Sequence, residues 1–122
     1  MGIDDSFTYA DDWEAALRDV ADRDSVILLA HSPDAHAQAA AEGIPLVLSG
    51  HTHGGQVRIG PWFTPTTGTR KPLERPSGVI AKGRTLIHIS PGLGMSGPPI
   101  RFFARPEATV LELRGINART GE

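Results

Sequence analysis

Two histidines stand one residue apart in a glycine-rich stretch that directly follows an apolar run. They are His51 and His53, within residues 46–56 (LVLSGHTHGGQ). In an extended segment side chains alternate, so both imidazoles project to one side while Thr52 points away. Neutral imidazole is a common ligand of transition metals. The spacing therefore predicts a metal site.

A third imidazole, His31, ends another apolar run, residues 25–30 (SVILLA). If the two runs are neighbouring strands, all three rings converge at their ends. The chain has no cysteine, so metal binding would depend on histidine and carboxylate. The alternative is a glycine turn with ordinary surface histidines. Gly-His-x-His-Gly-Gly together with a third strand-end histidine favours the metal site.

The elements that would position these rings follow from periodicity. Residues 10–21 carry an amphipathic helical stripe, and residues 25–30 are typical of a strand buried on both faces. Residues 32–43 predict a helix, with Pro33 in its first turn and Gly43 as its C-terminal cap. Residues 44–49 predict a second buried strand. The order helix, strand, helix, strand indicates an α/β fold with ligands at strand ends.

The second half of the chain is less regular. Residues 60–78 predict a long loop, and residues 79–81 and 84–90 predict a hairpin around Lys82-Gly83. Residues 90–99 are irregular, and residues 109–113 (TVLEL) alternate as a closing strand. We expect residues 1–114 to form the domain and residues 115–122 to be a flexible tail.

Length and charge exclude several classes of protein. At 122 residues the chain fits one domain, and its net charge of −2 creates no long-range attraction for nucleic acid. No apolar run is long enough to span a membrane, and no signal-peptide pattern is present. We therefore expect a soluble, cytoplasmic or peripheral protein. Nucleic-acid binding would depend only on Arg70, Lys71 and Arg75 in the long loop, where a solvated surface is the simpler interpretation.

Other chemically capable residues have simpler interpretations. His36 lies within the alanine-rich helix and is expected to face solvent, whereas His88 falls inside a strand and is expected to pack. Phe102 and Phe103 stand between arginines and are expected to pack in the core, with contact to a membrane or nucleic acid as the alternative.

Three segments in this order and spacing resemble the C-terminal half of the calcineurin-like metallophosphoesterases. They are LLAHSPD (residues 28–34), LVLSGHTHGGQ (residues 46–56) and SPGLGMSG (residues 90–97). The resemblance implies an α/β fold, namely the C-terminal half of a four-layer α/β/β/α sandwich with a mixed sheet. It also implies hydrolysis of phosphomonoesters or phosphodiesters at two divalent metal ions, Mn, Fe or Zn.

The resemblance also implies roles for individual residues. His31 would bind the second metal and His51 would share it, whereas His53 would bind the first. Gly54, Gly55, Gly92 and Gly94 would lie near the phosphate ester.

The family's Asp-x-His, Gly-Asp and Gly-Asn-His segments have no counterpart here. No histidine precedes His31, and the only asparagine is Asn117. The family's catalytic histidine would lie in those segments, so no catalytic residue is assigned. We expect half a domain with one metal ion or none, low activity alone, and self-association or pairing with an N-terminal half. The alternative is a non-catalytic metal-binding or oligomerisation module.

Overall fold

Five strands form one sheet in the computed structural model, which describes residues 1–60 and 64–114. The strands are β1 (Gly2–Ile3), β2 (Ile27–Ala30), β3 (Leu46–Ser49), β4 (Gly78–Lys82) and β5 (Thr85–Ile89). The helices are α1 (Trp13–Leu17) and α2 (His36–Ala41), with short 3-10 turns at Arg23–Ser25, Pro33–Ala35 and His53–Gly55. No helix in these two ranges is long and apolar enough to cross a membrane.

The sheet has the order β1-β2-β3-β5-β4, in which only β4 runs antiparallel to its neighbour. This confirms an α/β fold with a mixed sheet. Ala30, Ser49 and Ile89 pair in register at the carboxyl ends of β2, β3 and β5. The residues that follow these strands therefore meet at one edge of the sheet, which is where α/β proteins commonly bind ligands.

The core lies between the sheet and α2. Pro33 begins the first turn of this helical segment and the Ser32 hydroxyl accepts from the Asp34 N–H. Gly43 ends the segment with a φ of 73°, as predicted. The buried side chains of this core come from the four strands β2 to β5, from α2 and the 3-10 turn before it, and from the connection between α2 and β3: Leu28, Ala30, Ala35, Ala39, Ile44, Val47, Ile80, Ile87 and Ile89.

The opposite face of the sheet is equally apolar but more open. Leu29 is 56% exposed and Leu86 48%, so the prediction that residues 25–30 are buried on both faces is wrong here. Thr109 and Leu111 approach this face. They line a groove of about 540 Å³ together with Leu29 and other residues of the sheet. We call this side of the sheet, which carries Leu29 and Leu86, the open face.

Three further predictions need correction. The first helix is only Trp13–Leu17, with Asp12 as its N-cap, and it buries no residue fully, so little packing extends it. Residues 109–113 form no strand, and Val110 is 94% exposed, because no described strand pairs with them. The hairpin turn is Gly83-Arg84, one residue later than predicted, since Lys82 pairs with Thr85. The predicted tail, residues 115–122, lies outside the described residues.

Candidate metal centre

His31 and His51 meet at the carboxyl edge of the sheet. Each follows a parallel strand, β2 or β3, and the Gly50 N–H donates to the His31 carbonyl at 3.1 Å. Nε2 of His31 lies 3.1 Å from Nδ1 of His51. The ring centroids are 4.9 Å apart with the planes nearly perpendicular, at 72°. The parallel register thus brings together two imidazoles that are 20 residues apart in sequence.

The carbonyl of Gly68 fixes the tautomer of His51. Nε2 of His51 lies 2.8 Å from this oxygen, and a carbonyl oxygen can only accept, so Nε2 carries the proton. In the neutral ring the lone pair is then on Nδ1, which faces His31. Phe7 packs against the same imidazole with ring centroids 5.1 Å apart. One nitrogen of His51 is therefore held by the backbone, and the other, Nδ1, accepts from His31 Nε2. A metal ion bound by both rings would take the place of that His31 proton.

His53 is held separately by Gln56. Its Nδ1 lies 3.0 Å from the Gln56 Oε1, which also accepts from the Ser96 N–H at 2.9 Å. The Gln56 amide nitrogen donates to the Ser96 and Pro98 carbonyls at 2.7 and 3.2 Å, which orients the carboxamide. Nδ1 of His53 is thus the donor, and its lone pair is on Nε2.

His53 does not join the pair formed by His31 and His51. Instead, His51 and His53 line a shared cavity of about 280 Å³. The other lining residues are polar or small, apart from Phe7: Thr52, Gly55, Gln56, Thr66, Thr67, Gly68 and Ser96. In residues 1–60 and 64–114 no three histidine or carboxylate side chains converge as a preformed metal site.

The pair of nitrogens fits one edge of a metal site. Two imidazole nitrogens that bind one ion at about 2.1 Å each lie about 3.0–3.4 Å apart for angles of about 90–109°. The observed 3.1 Å between His31 and His51 is that of a hydrogen bond, and it also falls within that range. Metal-binding histidines commonly donate their second ring N–H to a carbonyl, as His51 does to Gly68. Imidazole nitrogens are ligands that divalent transition metals accept.

The turn that carries these histidines has an unusual backbone. His51, His53 and Gln56 all have positive φ, at 67°, 49° and 45°. Such conformations cost of order 1 kcal/mol or more each and cluster at functional sites. Side chains contact the turn. The Thr52 hydroxyl donates to the Pro76 carbonyl at 2.6 Å. The Thr64 hydroxyl lies 3.1 Å from the Gly55 carbonyl oxygen and 2.8 Å from that of Thr66. The structure therefore stabilises a strained turn where the histidines lie.

Comparison with known proteins decides the family. Over 118 residues, 94% of this chain, the sequence is 40% identical to the "Uncharacterized metallophosphoesterase YkuE" of Bacillus subtilis. It is 34% identical over 93% of the chain to an "Uncharacterized metallophosphoesterase" of Aquifex aeolicus. It is 39% identical over 71% of the chain to "Phosphodiesterase YaeI" of Escherichia coli. This chain belongs to the calcineurin-like metallophosphoesterase family.

The match covers only part of each relative. The chain corresponds to 40% of the length of YkuE, 44% of the Aquifex protein and 32% of YaeI. No family model matches the sequence, and no solved structure matches it. The comparison therefore shows the family of this chain and does not show the activity of a whole protein.

The glycines expected near a phosphate ester fall into two groups. Gly54 and Gly55 are buried in the histidine turn, and Gly55 lines the cavity beside His51 and His53. A Cβ on Gly55 would lie 2.6 Å from the Thr64 Oγ1, so the position requires glycine. In the metallophosphoesterase segment SPGLGMSG, the Gly92 N–H donates to the Ser90 hydroxyl and the Gly94 carbonyl accepts from Arg101. Neither Gly92 nor Gly94 lines that cavity.

The remaining candidates have mixed outcomes. His88 is buried at 8% exposure, as predicted for a packed strand residue. His36 is half-buried rather than facing solvent. Burial lowers its pKa from the usual 6.5, helped by the positive charges of Lys82 and Lys71 and opposed by its bond to the Pro33 carbonyl. Phe102 and Phe103 are 55% and 65% exposed, so the prediction of core packing is wrong.

The exposed loop cations match the solvated interpretation. Arg70, Lys71 and Arg75 are all exposed, and the Arg70 guanidinium lies over the Tyr9 ring at 3.4 Å. Sequence reasoning overlooked three residues of this candidate site. Gln56 and Gly68 hold the histidines, and the buried Asp34 holds the loop that carries Gly68. The proximity of Gln56 to His53 in sequence was a usable signal, whereas the other two contacts are long-range.

Proposed function

We propose that this chain supplies part of the metal centre of a phosphoesterase that hydrolyses phosphomonoesters or phosphodiesters. The observation that carries the proposal is the pair formed by His31 Nε2 and His51 Nδ1, 3.1 Å apart, in a family whose members are named metallophosphoesterases. The name of the Escherichia coli relative, a phosphodiesterase, supports phosphate esters as the substrate class.

In this proposal His31 and His51 hold one divalent ion and His53 holds a second. The Gly68 carbonyl keeps the His51 lone pair on Nδ1, and the Gln56 carboxamide keeps that of His53 on Nε2. Two ions held in this way would supply an activated water and would neutralise charge on the phosphoryl oxygens. The cavity between His51 and His53 would receive the phosphate ester, and Thr66, Thr67 and Ser96 also line it.

The open face supports a larger architecture. A sheet face that exposes Leu29, Val79 and Leu86 leaves apolar surface in water, which usually marks a contact with another part of a protein. We propose that it packs against the second sheet of a four-layer α/β/β/α sandwich. The three family segments without a counterpart in these 122 residues would belong to that second half, along with the catalytic histidine.

It follows that the 122-residue chain alone has low activity. Without the bridging carboxylate of the absent segments, nothing offsets the repulsion between two neighbouring dications. The isolated chain is therefore expected to bind one ion weakly.

A second candidate function is a non-catalytic metal-binding or oligomerisation module. The specific observation in its favour is the open face, which would suit a second copy of the chain as well as a second sheet. In that case the histidine pair would act only in metal-dependent assembly.

Metal binding tests the proposed site. Calorimetric titration with Zn²⁺ at pH 7.5 is expected to show a weak site of one ion. We expect His51→Ala to lower the affinity at least tenfold, because one of two paired ligands is lost. The matched control is His36→Ala, which removes a histidine outside the pair. Equal affinity in wild type and His51→Ala would contradict the proposed site.

Hydrolysis distinguishes the enzyme from the module. The Mn²⁺-loaded chain should hydrolyse bis(p-nitrophenyl) phosphate with a kcat far below the roughly 1–10³ per second that is typical of enzymes. Addition of a family N-terminal half should raise the rate, and His51→Ala should abolish the increase. No increase, with metal-dependent dimerisation instead, would favour the module. Turnover by the chain alone at ordinary enzyme rates would contradict the expectation of low activity.

A further inference from the structure

A buried carboxylate lies beneath the long loop, three residues after His31. Asp34 is only 1% exposed. Its two oxygens accept from the Arg70 N–H at 3.1 Å, and Oδ1 accepts from the Lys71 N–H at 2.8 Å. The hydroxyl of the buried Ser32 donates to Oδ2 at 3.0 Å. Among the described residues no lysine or arginine side chain forms an ion pair with this carboxylate.

The loop that Asp34 holds is the one that contacts His51. Gly68, two residues before Arg70, accepts from His51 Nε2 at 2.8 Å. At its other end the loop meets the histidine turn at Thr64, whose hydroxyl lies 3.1 Å from the Gly55 carbonyl oxygen and 2.8 Å from that of Thr66. Gly68 itself has a φ of 68°, and a Cβ there would lie 3.4 Å from His51 Nε2. The carbonyl of Gly68 therefore lies between two anchors, and the stronger one is the buried carboxylate, because charged acceptors form the stronger hydrogen bonds.

We propose that Asp34 is a positioning residue that fixes the long loop and, through the Gly68 carbonyl, keeps the His51 lone pair on Nδ1. The inference rests on the proposed function in one respect, since Nδ1 is the atom offered to the metal. Asp34 touches neither histidine ring, and its effect passes through the backbone of residues 68–71.

The direct readout is the tautomer of His51 in the metal-free chain, measured by long-range ¹H–¹⁵N spectra at pH 8. In the wild type His51 should carry its proton on Nε2 and His53 on Nδ1. In Asp34→Ala the His51 nitrogen shifts should move towards the average of the two tautomers. His53 should not change, because Gln56 holds it, and it serves as an internal control.

Two further variants sharpen the test. Asp34→Asn keeps an oxygen that can accept from both loop N–H groups, so it should largely restore the His51 tautomer. The matched control is Asp22→Ala, which removes a carboxylate that accepts from a backbone N–H and a serine hydroxyl at an exposed turn. It should leave both histidines unchanged. A wild-type His51 spectrum in Asp34→Ala would overturn the proposal.

If Asp34→Ala does not fold, amide hydrogen exchange of the wild-type chain tests whether Asp34 holds the loop. The Arg70 and Lys71 amides should exchange at least tenfold more slowly than those of Glu74 and Arg75 in the same loop. Equally fast exchange would overturn the proposal.

Zn²⁺ titration separates this inference from the proposed function. Asp34→Ala should weaken Zn²⁺ binding about 10- to 100-fold, as is typical when a partner behind a ligand is lost. If the wild type binds no Zn²⁺ but the His51 tautomer still depends on Asp34, the metal function fails and the positioning role stands. If Zn²⁺ binds equally to both proteins, Asp34 does not position the ligand.

Discussion

On the helix side of the sheet, Leu28, Val47 and Ile87 are fully buried, whereas on the open face Leu29 and Leu86 are 56% and 48% exposed. Neighbours along the same strands thus have the same apolar character and opposite surroundings. One face packs against α2, with Trp13 and Leu17 of α1 also against that core, whereas Thr109 and Leu111 line a groove on the other face. An apolar strand therefore indicates that both faces need cover, and says nothing about which segment provides it.

The largest expected effect is on stability, and it differs between substitutions on the two faces of the sheet. Ile87→Ala should lower the free energy of unfolding by about 3 kcal/mol, because it leaves a cavity in the helix-side core. Leu86→Ala, one residue earlier, should cost under about 1 kcal/mol because water already reaches this side chain. Urea denaturation of both variants measures the difference. Equal losses would show that the open face is covered in solution.

A second prediction concerns association through the open face. The wild-type chain should self-associate at high concentration, because exposed Leu29, Val79 and Leu86 can pair between copies. Leu29→Lys should shift sedimentation towards the monomer with little loss of stability. As a control, Lys82→Glu at the sheet edge changes charge without changing apolar area. A wild-type chain that stays monomeric at high concentration would contradict association through the open face.

The smallest effect concerns the helix that covers the buried face. His36 begins α2, and its pKa is lowered by burial, so the folded chain resists protonation more than the unfolded chain. As the pH falls below the usual histidine pKa of 6.5, His36 binds more protons in the unfolded chain than in the folded chain. The free energy of unfolding must therefore fall as the pH drops. Thermal melting at pH 8 and pH 5.5 should show a smaller pH-dependent decrease in His36→Gln than in the wild type. An identical decrease would show that other groups cause it.

Much of the fold follows from local patterns. Pro33 and Gly43 marked the ends of a helical segment, and the runs before His31 and Gly50 became parallel neighbours. Two failures share a cause: residues 109–113 alternate as a strand, and Leu29 is typical of a buried side chain, but both need a neighbour that the described residues do not provide. Strand pairing and burial are properties of two surfaces, so one segment's sequence cannot determine them.

The site was only partly predictable for the same reason. The meeting of His31 and His51 follows from two strand ends in a parallel sheet. The contacts of Asp34 with Lys71 and of Gly68 with His51 join residues 37 and 17 positions apart, across a loop without periodicity. His53 is separated from the pair because of the positive φ values in its turn, which the alternation of an extended strand does not anticipate.

Anomalous diffraction from crystals grown with Zn²⁺ tests the central claim most directly, because it locates the ion without assuming its ligands. We expect an anomalous peak at the zinc edge within about 2.1 Å of both His31 Nε2 and His51 Nδ1. The Gly68 carbonyl should still accept from His51 Nε2. Zinc bound at other residues, with the two ring nitrogens still hydrogen-bonded to each other, would contradict the account.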